Sequence, residues 1–284
     1  MDTKSRKVRN IIEPQTVLEG AGVRLKRSIA TATLDHLDPF LLFDHFGSKD
    51  PADYIKGFPM HPHRGIETVT YMIQGVVNHK DSIGNSGSIS SGDVQWMTSG
   101  GGIMHEEMPQ AGQDEMIGFQ LWVNLPARLK MGQPRYREIF ADQIPHVSRA
   151  DGVKILVIAG EVDDVSGPVT EIEAEPIYLD ITVPHGGEFK HPVEKGHTAF
   201  AYVFEGQGLF GNDGAEKPIK HPRLVEFGDG DHIAVKATDQ HVRFLLVSGK
   251  PLNEPIARYG PFVMNTQEEI QQALEDLRNG TFVK

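Results

Sequence analysis

Glycine and proline divide this chain into short β-branched and aromatic runs, and that division constrains the fold more than any other feature. Glycine supplies 30 and proline 18 of the 284 residues. They recur as punctuation around Thr68–Ile73, Gly118–Val123, Lys154–Ile158, Ala199–Phe204 and Arg243–Val247. Runs this short, bounded by turn-forming residues, fit strands and are too brief for most helices, which predicts an all-β sandwich or barrel. One segment departs from the pattern. Thr266 followed by Glu269 forms a capping box, and Ile270, Ala273, Leu274 and Leu277 fall on one helical face before Gly280. This predicts a single helix over about 266–279, laid across the β-structure.

A weak repeat suggests two similar β-domains. Tyr71-x3-Gly75 matches Tyr202-x3-Gly206, and Gly92-Asp93-Val94 loosely matches Gly230-Asp231-His232-Ile233. On that alignment the second copy carries a loop-sized insertion of about seven residues. The polar, aperiodic stretch from Ala141 to Gly152, with Pro145 inside it, marks the boundary. The expected division is a first domain over 1–145 and a second over 146–284 that carries the C-terminal helix.

Composition narrows the chemistry. There is no cysteine, which removes disulfides, thiolate nucleophiles, iron–sulfur clusters and cysteine-ligated zinc. The formal net charge of −11 opposes direct binding to nucleic acid. No apolar run reaches the roughly 20 residues a spanning helix needs. The basic N-terminus, with Lys4, Arg6, Lys7 and Arg9, lacks the apolar stretch of a secretory leader. The chain therefore reads as a soluble, cytoplasmic protein with no membrane partner. There is no P-loop, dinucleotide fingerprint or G-x-S-x-G elbow.

Among 13 histidines, two short constellations stand out. His61-Pro62-His63 places two imidazoles on one face of a strand, because side chains alternate with period two. His105-Glu106-Glu107 repeats the geometry, with His105 and Glu107 sharing a face. Met108-Pro109 follows where a zinc-protease helix would need its second histidine. Two such pairs facing each other across a barrel offer three nitrogens and a carboxylate oxygen to one cation. Such donors suit iron(II), manganese, nickel, copper or zinc. Glu67 shares parity with His61 and His63, so spacing alone leaves it open as an alternative carboxylate.

These motifs resemble a known family. Gly57-x3-His61-x-His63-x3-Glu67-x7-Gly75 approximates the first cupin motif, and Gly92-Asp93-x6-Gly100-Gly101-Gly102-x2-His105 stands where the second belongs. The slightly shifted first spacing, and the lack of a proline before the second motif's histidine, are departures that pirins share. HPHRGIETVTYMIQG, GDVQWMTSGGGIMHEEMP, FQLWVNLP and GPFVMNT all look like pirin. The resemblance implies a bicupin, two cupin-type β-barrel or sandwich domains, with one iron ion (Fe2+) held in the first by His61, His63, His105 and Glu107. It also implies quercetin 2,3-dioxygenase activity, with a small aromatic flavonol and dioxygen as partners and release of carbon monoxide. In that reading Glu107 receives the flavonol proton. Pirins are equally implicated in regulation, so a non-catalytic, redox-responsive iron protein acting through a protein partner is the alternative. Counting from the repeat, the second domain would put Pro192, Glu194, Arg243 and Leu245 at the ligand positions and hold no metal. Phe46, Phe58, Trp96, Met97, Met104, Met108, Phe119 and Trp122 flank the ligands, and two or three of them are expected to wall a substrate pocket.

Overall fold

The structure, a computed structural model, describes residues 4–112, 114–211 and 217–283. Strands dominate it, and the one α-helix among the described residues spans Gln267–Asn279. Thr266 caps that helix: its side chain accepts from the Glu269 amide, the Glu269 carboxylate accepts from the Thr266 amide, and Gly280 closes the far end in the left-handed conformation. No helix among the described residues is long and apolar enough to cross a membrane.

The chain divides into two compact units, Gln15–Ala141 with Leu252–Lys284, and Met1–Pro14 with Asp142–Pro251. A single cut near residue 145 does not describe this, because both termini cross over. Strand Val8–Ile12 pairs with Arg223–Phe227, and the buried Arg6 guanidinium donates to the Glu194 and His197 carbonyls at 2.7 Å. At the other end, Arg64 reaches Asp276 of the helix at 2.8 Å and Phe262 packs on Phe282. The helix thus belongs with the earlier β-domain.

The unit built on 15–141 contains a seven-stranded and a four-stranded sheet. The seven-stranded sheet runs Arg135–Ile139, Val94–Thr98, Ile66–Gln74, Ile117–Asn124, Phe40–Phe46, Val23–Ile29, Gln15–Glu19. The other sheet runs Phe58–His63, Ile103–Pro109, Val77–Asp81, Ser86–Ile89. Val23, Leu25, Phe46 and Met72 from the first pack with Val77 and Ile89 from the second in one core cluster, so the sheets lie face to face.

The second unit repeats this order strand for strand. Its sheet runs Val8–Ile12, Arg223–Phe227, Thr198–Phe210, His232–Gly249, Ile177–Val183, Lys154–Ala159, His146–Ser148. Register fixes the correspondence, since Tyr71 pairs with Val94 and Tyr202 pairs with Leu224. The counterpart of Gly92-Asp93-Val94 is therefore the turn before Leu224, not Gly230-Asp231, and no seven-residue insertion separates the copies there. The same logic corrects the ligand equivalents. His63 pairs with Ile103 and His61 with His105, while His191 pairs with Ile233 and Phe189 with Val235. His79 pairs with Glu107 and Gly208 with Ala237. In the second unit, the positions of His61, His63, His105 and Glu107 thus hold Phe189, His191, Val235 and Ala237, in place of Pro192, Glu194, Arg243 and Leu245. Three of the four are apolar and join a large hydrophobic core. Arg243 instead pairs bidentately with Asp180, at 2.7 and 3.0 Å.

His191 is the one imidazole retained, stacked on Phe189 at 6.2 Å. Burial, reinforced by the Arg149 charge and opposed by Asp163, depresses its pKa to about 4. Between pH 6.5 and 4 the unfolded chain then binds a proton that the folded chain does not, so stability falls as pH falls through that window. We expect His191→Leu to flatten the acid limb, removing up to about 3 kcal/mol of the loss between pH 6.5 and 4. Urea unfolding at half-unit pH steps measures this, and parallel limbs in the two proteins would contradict it.

Candidate metal centre

The centre rests on two antiparallel neighbours, Phe58–His63 and Ile103–Pro109. The second strand alternates in burial, with Ile103, His105, Glu107 and Pro109 inward. His61 and His105 are directly opposite in register. Their ring centroids lie 4.4 Å apart, with His63 at 4.8 Å from His61 and 5.0 Å from His105. One donor nitrogen from each of the three histidines falls within 4.8 Å of the others.

Local chain geometry holds these rings in place. His61 Nδ1 lies 2.9 Å from the Pro59 carbonyl, which can only accept, so Nδ1 carries the proton and Nε2 offers its lone pair. His61 Nε2 faces His63 Nε2 at 3.0 Å. Gly65, just after the ligand strand, has φ +80°, and a Cβ there would collide with the Val263 carbonyl, so only glycine fits the turn. Arg64 anchors the same turn. It is fully buried, donates from Nε to the Gly101 carbonyl at 2.7 Å, and lies 4.5 Å from the Phe282 ring centroid.

The donors fit a divalent transition metal. Both ring nitrogens of His105, and Nδ1 of His63, are buried without a hydrogen-bond partner. An unpartnered buried polar atom costs about 1–3 kcal/mol, and a cation taking the single lone pair of each neutral ring would offset part of that cost. Burial holds both rings neutral, which is the ligating form. His63 is pushed well below the ordinary imidazole value, and His105 is pushed down to about 4 by burial and the neighbouring histidines, against the pull of Glu107.

The carboxylates are placed differently. Glu107 is buried on the same face as His105, but its donor atoms lie outside the three-histidine cluster. The pairing of its strand with Phe58–His63 slips between His105 and Glu107, leaving Glu107 opposite Phe58. Its carboxylate accepts from Thr70 Oγ1 at 2.9 Å and from Gln120 Nε2 at 3.3 Å. Glu67 also lies outside the cluster and accepts from Thr98 Oγ1 at 2.7 Å; burial raises its pKa. Thr70 and Gln120 escaped the sequence reading. Gln120 shares a strand face with Trp122, a parity signal that the FQLWVNLP motif carries.

His61 and His63 open on a cleft of about 900 Å³, large enough for a flat polycyclic ligand. Of the flanking apolar residues, Phe58 and Trp122 line it, with Trp122 set edge-on to His63 at 5.1 Å. Phe46 and Phe58 border a small adjoining cavity beside Glu107, whereas Trp96, Met97 and Phe119 are core. Met104 packs against the cluster containing Ile270 of the C-terminal helix.

Comparison with known proteins settles the family. The Pirin family model matches residues 22–123, and that of the Pirin C-terminal cupin domain matches 178–283. The chain belongs to the pirin family. Its two β-domains are therefore the cupin domains of a bicupin, as the motifs imply. A pirin-like protein of Caulobacter vibrioides is 43% identical, over 98% of this chain and 99% of its own. Pirin of Homo sapiens is 42% identical, over 97% of this chain and 93% of its own. Among solved structures, quercetin 2,3-dioxygenase from Acinetobacter baumannii is 34% identical with a TM-score of 0.88, covering 98% of both chains.

Proposed function

We propose that this pirin is an iron-dependent dioxygenase that opens a flavonol such as quercetin, with His61, His63, His105 and Glu107 as the iron ligands. The observation that carries the reading is the junction of three clustered imidazoles, two of them with orphaned nitrogens, with an aromatic-walled cleft. The likeness to the Acinetobacter baumannii quercetin 2,3-dioxygenase supports the choice of substrate.

Iron, when bound, supplies a redox-active Lewis acid that acidifies a flavonol hydroxyl and engages dioxygen. The chain's own residues do the rest. Phe58 and Trp122 hold the flat ring system and exclude water from the end of the cleft where the imidazoles stand. Glu107 takes the proton of the flavonol 3-hydroxyl. Thr70 and Gln120 fix its carboxylate and leave lone pairs for that proton. Gln120 belongs to the cleft wall, so a bound substrate also meets the residue that orients the base.

The test is aerobic incubation with quercetin, following loss of flavonol absorbance, oxygen uptake and carbon monoxide. Glu107→Gln is expected to lower kcat/KM by about 10²–10⁴. Metal content reads the ligand role separately, since a weakened site loses iron as well as rate. Unchanged turnover in Glu107→Gln would overturn the assignment of the base. Tightly held iron with neither oxygen uptake nor carbon monoxide would overturn the dioxygenase and favour a regulatory, redox-responsive protein.

A further inference from the structure

Two guanidiniums line the cleft, and only one is ion-paired at contact distance. Arg27 donates from Nε and Nη2 to the two oxygens of Asp44, at 2.9 and 2.7 Å, and from Nη1 to Glu19 at 2.6 Å. Arg258 lies within 4 Å of no carboxylate among the described residues, although Asp35, Asp44 and Glu19 share the cleft. Its Nη1 donates to the Leu41 carbonyl at 3.2 Å and its Nε to the Gly260 carbonyl at 3.5 Å, leaving Nη2 without an acceptor among the described residues. The half-buried guanidinium sits 5.0 Å from the Trp122 ring, the same indole that meets His63 edge-on at 5.1 Å. The sequence offered no hint of this, because Arg258 lies far along the chain on the hairpin Ala257–Tyr259 and Phe262–Met264.

We propose that Arg258 is a specificity-determining residue of the cleft, selecting planar aromatic ligands that carry a second oxyanion, a carboxylate or an ionised phenol. This rests on the proposed reading of the cleft as an aromatic substrate site. The ligand's first oxygen is directed at the three imidazoles and its ring lies along Trp122. Its second oxyanion then meets the free face of a guanidinium whose planar fork suits a carboxylate. Arg27, spent on Asp44 and Glu19, contributes no such charge. A partly desolvated guanidinium–oxyanion contact contributes about 10- to 100-fold in affinity.

The test compares 3-hydroxyflavone with its 4′-carboxylate, binding each calorimetrically to iron-loaded protein under nitrogen. The wild type is expected to prefer the carboxylate at least tenfold. Arg258→Met should reduce that preference to about twofold without changing the affinity for 3-hydroxyflavone, and Arg258→Lys should recover part of it. Absence of a preference in the wild type, or its survival in Arg258→Met, would overturn the proposal. Equal weakening of both probes would also overturn it, making Arg258 a prop for Trp122. Carbon monoxide release on the wild type reads the dioxygenase separately. A preference without carbon monoxide removes the enzyme and leaves Arg258 its role; carbon monoxide without a preference does the reverse.

Discussion

Replacing His105 by leucine is expected to abolish metal binding while leaving the metal-free protein as stable as its metal-free parent, or more so. His105 is almost fully buried, and both its ring nitrogens lack a partner. In a ring kept only for packing, such atoms are a cost of about 1–3 kcal/mol with nothing to offset it. Leucine has nearly the right volume and no polar atoms, so the apo protein gains what the imidazole gave up to ligation. Natural sites that hold ligands ready commonly trade stability in this way. Without His105 the proposed donor set falls from three imidazoles and a carboxylate to two imidazoles and a carboxylate, so metal stoichiometry should fall below about 0.1 per chain, and flavonol cleavage with it. Urea unfolding of both proteins in a chelator, with metal analysis of both as purified, checks the two halves together. A metal-free variant less stable by about 3 kcal/mol or more would mean that His105 is structural, since losses of that size belong to core disruption.

The second large effect lies at Lys130. Its ammonium is buried and donates to the Gly65 carbonyl at 2.8 Å, Asn124 Oδ1 at 2.6 Å and the Val263 carbonyl at 2.9 Å. Burial lowers its pKa to about 8 against the pull of Glu254 and Glu269. One cation thus satisfies three oxygens: on the turn after His63, at the end of strand Ile117–Asn124, and on the strand Phe262–Met264 of the C-terminal hairpin. Lys130→Met keeps the apolar stem but removes the donor from Asn124 Oδ1 and the Val263 carbonyl, and leaves the Gly65 carbonyl only the Leu125 amide at 3.4 Å. A loss of about 3–5 kcal/mol is expected, read as a lower urea midpoint at constant slope. A change under 1 kcal/mol would show that water replaces the ammonium, and that the turn does not depend on it.

What was legible in the sequence was what depends on local period. Strand parity alone put His61 with His63 and His105 with Glu107 on common faces, and the three imidazoles do meet. The capping box and Gly280 located the helix to within a residue. Pairing between distant strands was not legible. Aligning Gly230-Asp231 with Gly92-Asp93 chose a resemblance between turns over the register of Tyr202 on Leu224. It therefore named Arg243 where Val235 stands, while Pro192, counted back from Tyr202, misses Phe189 because the connection from Phe189 to Tyr202 is three residues longer than that from His61 to Tyr71. Turns of similar composition recur at many strand ends, whereas register is set by which faces must be buried. The crossing of the termini was equally hidden, since nothing local in Arg6 or Asp276 tells which sheet will take it. Arg258 shows the same limit at the site, being a lone arginine whose meaning comes from Trp122 and the cleft.

The central claim is that His61, His63 and His105 converge on one cation at the head of the cleft. X-ray absorption at the metal edge of protein purified without added metal tests it most directly. The account predicts about one metal per chain and an inner shell containing three imidazole nitrogens at about 2.0–2.2 Å. A shell of oxygen donors alone, or an imidazole pattern that survives unchanged in His105→Leu, would contradict it.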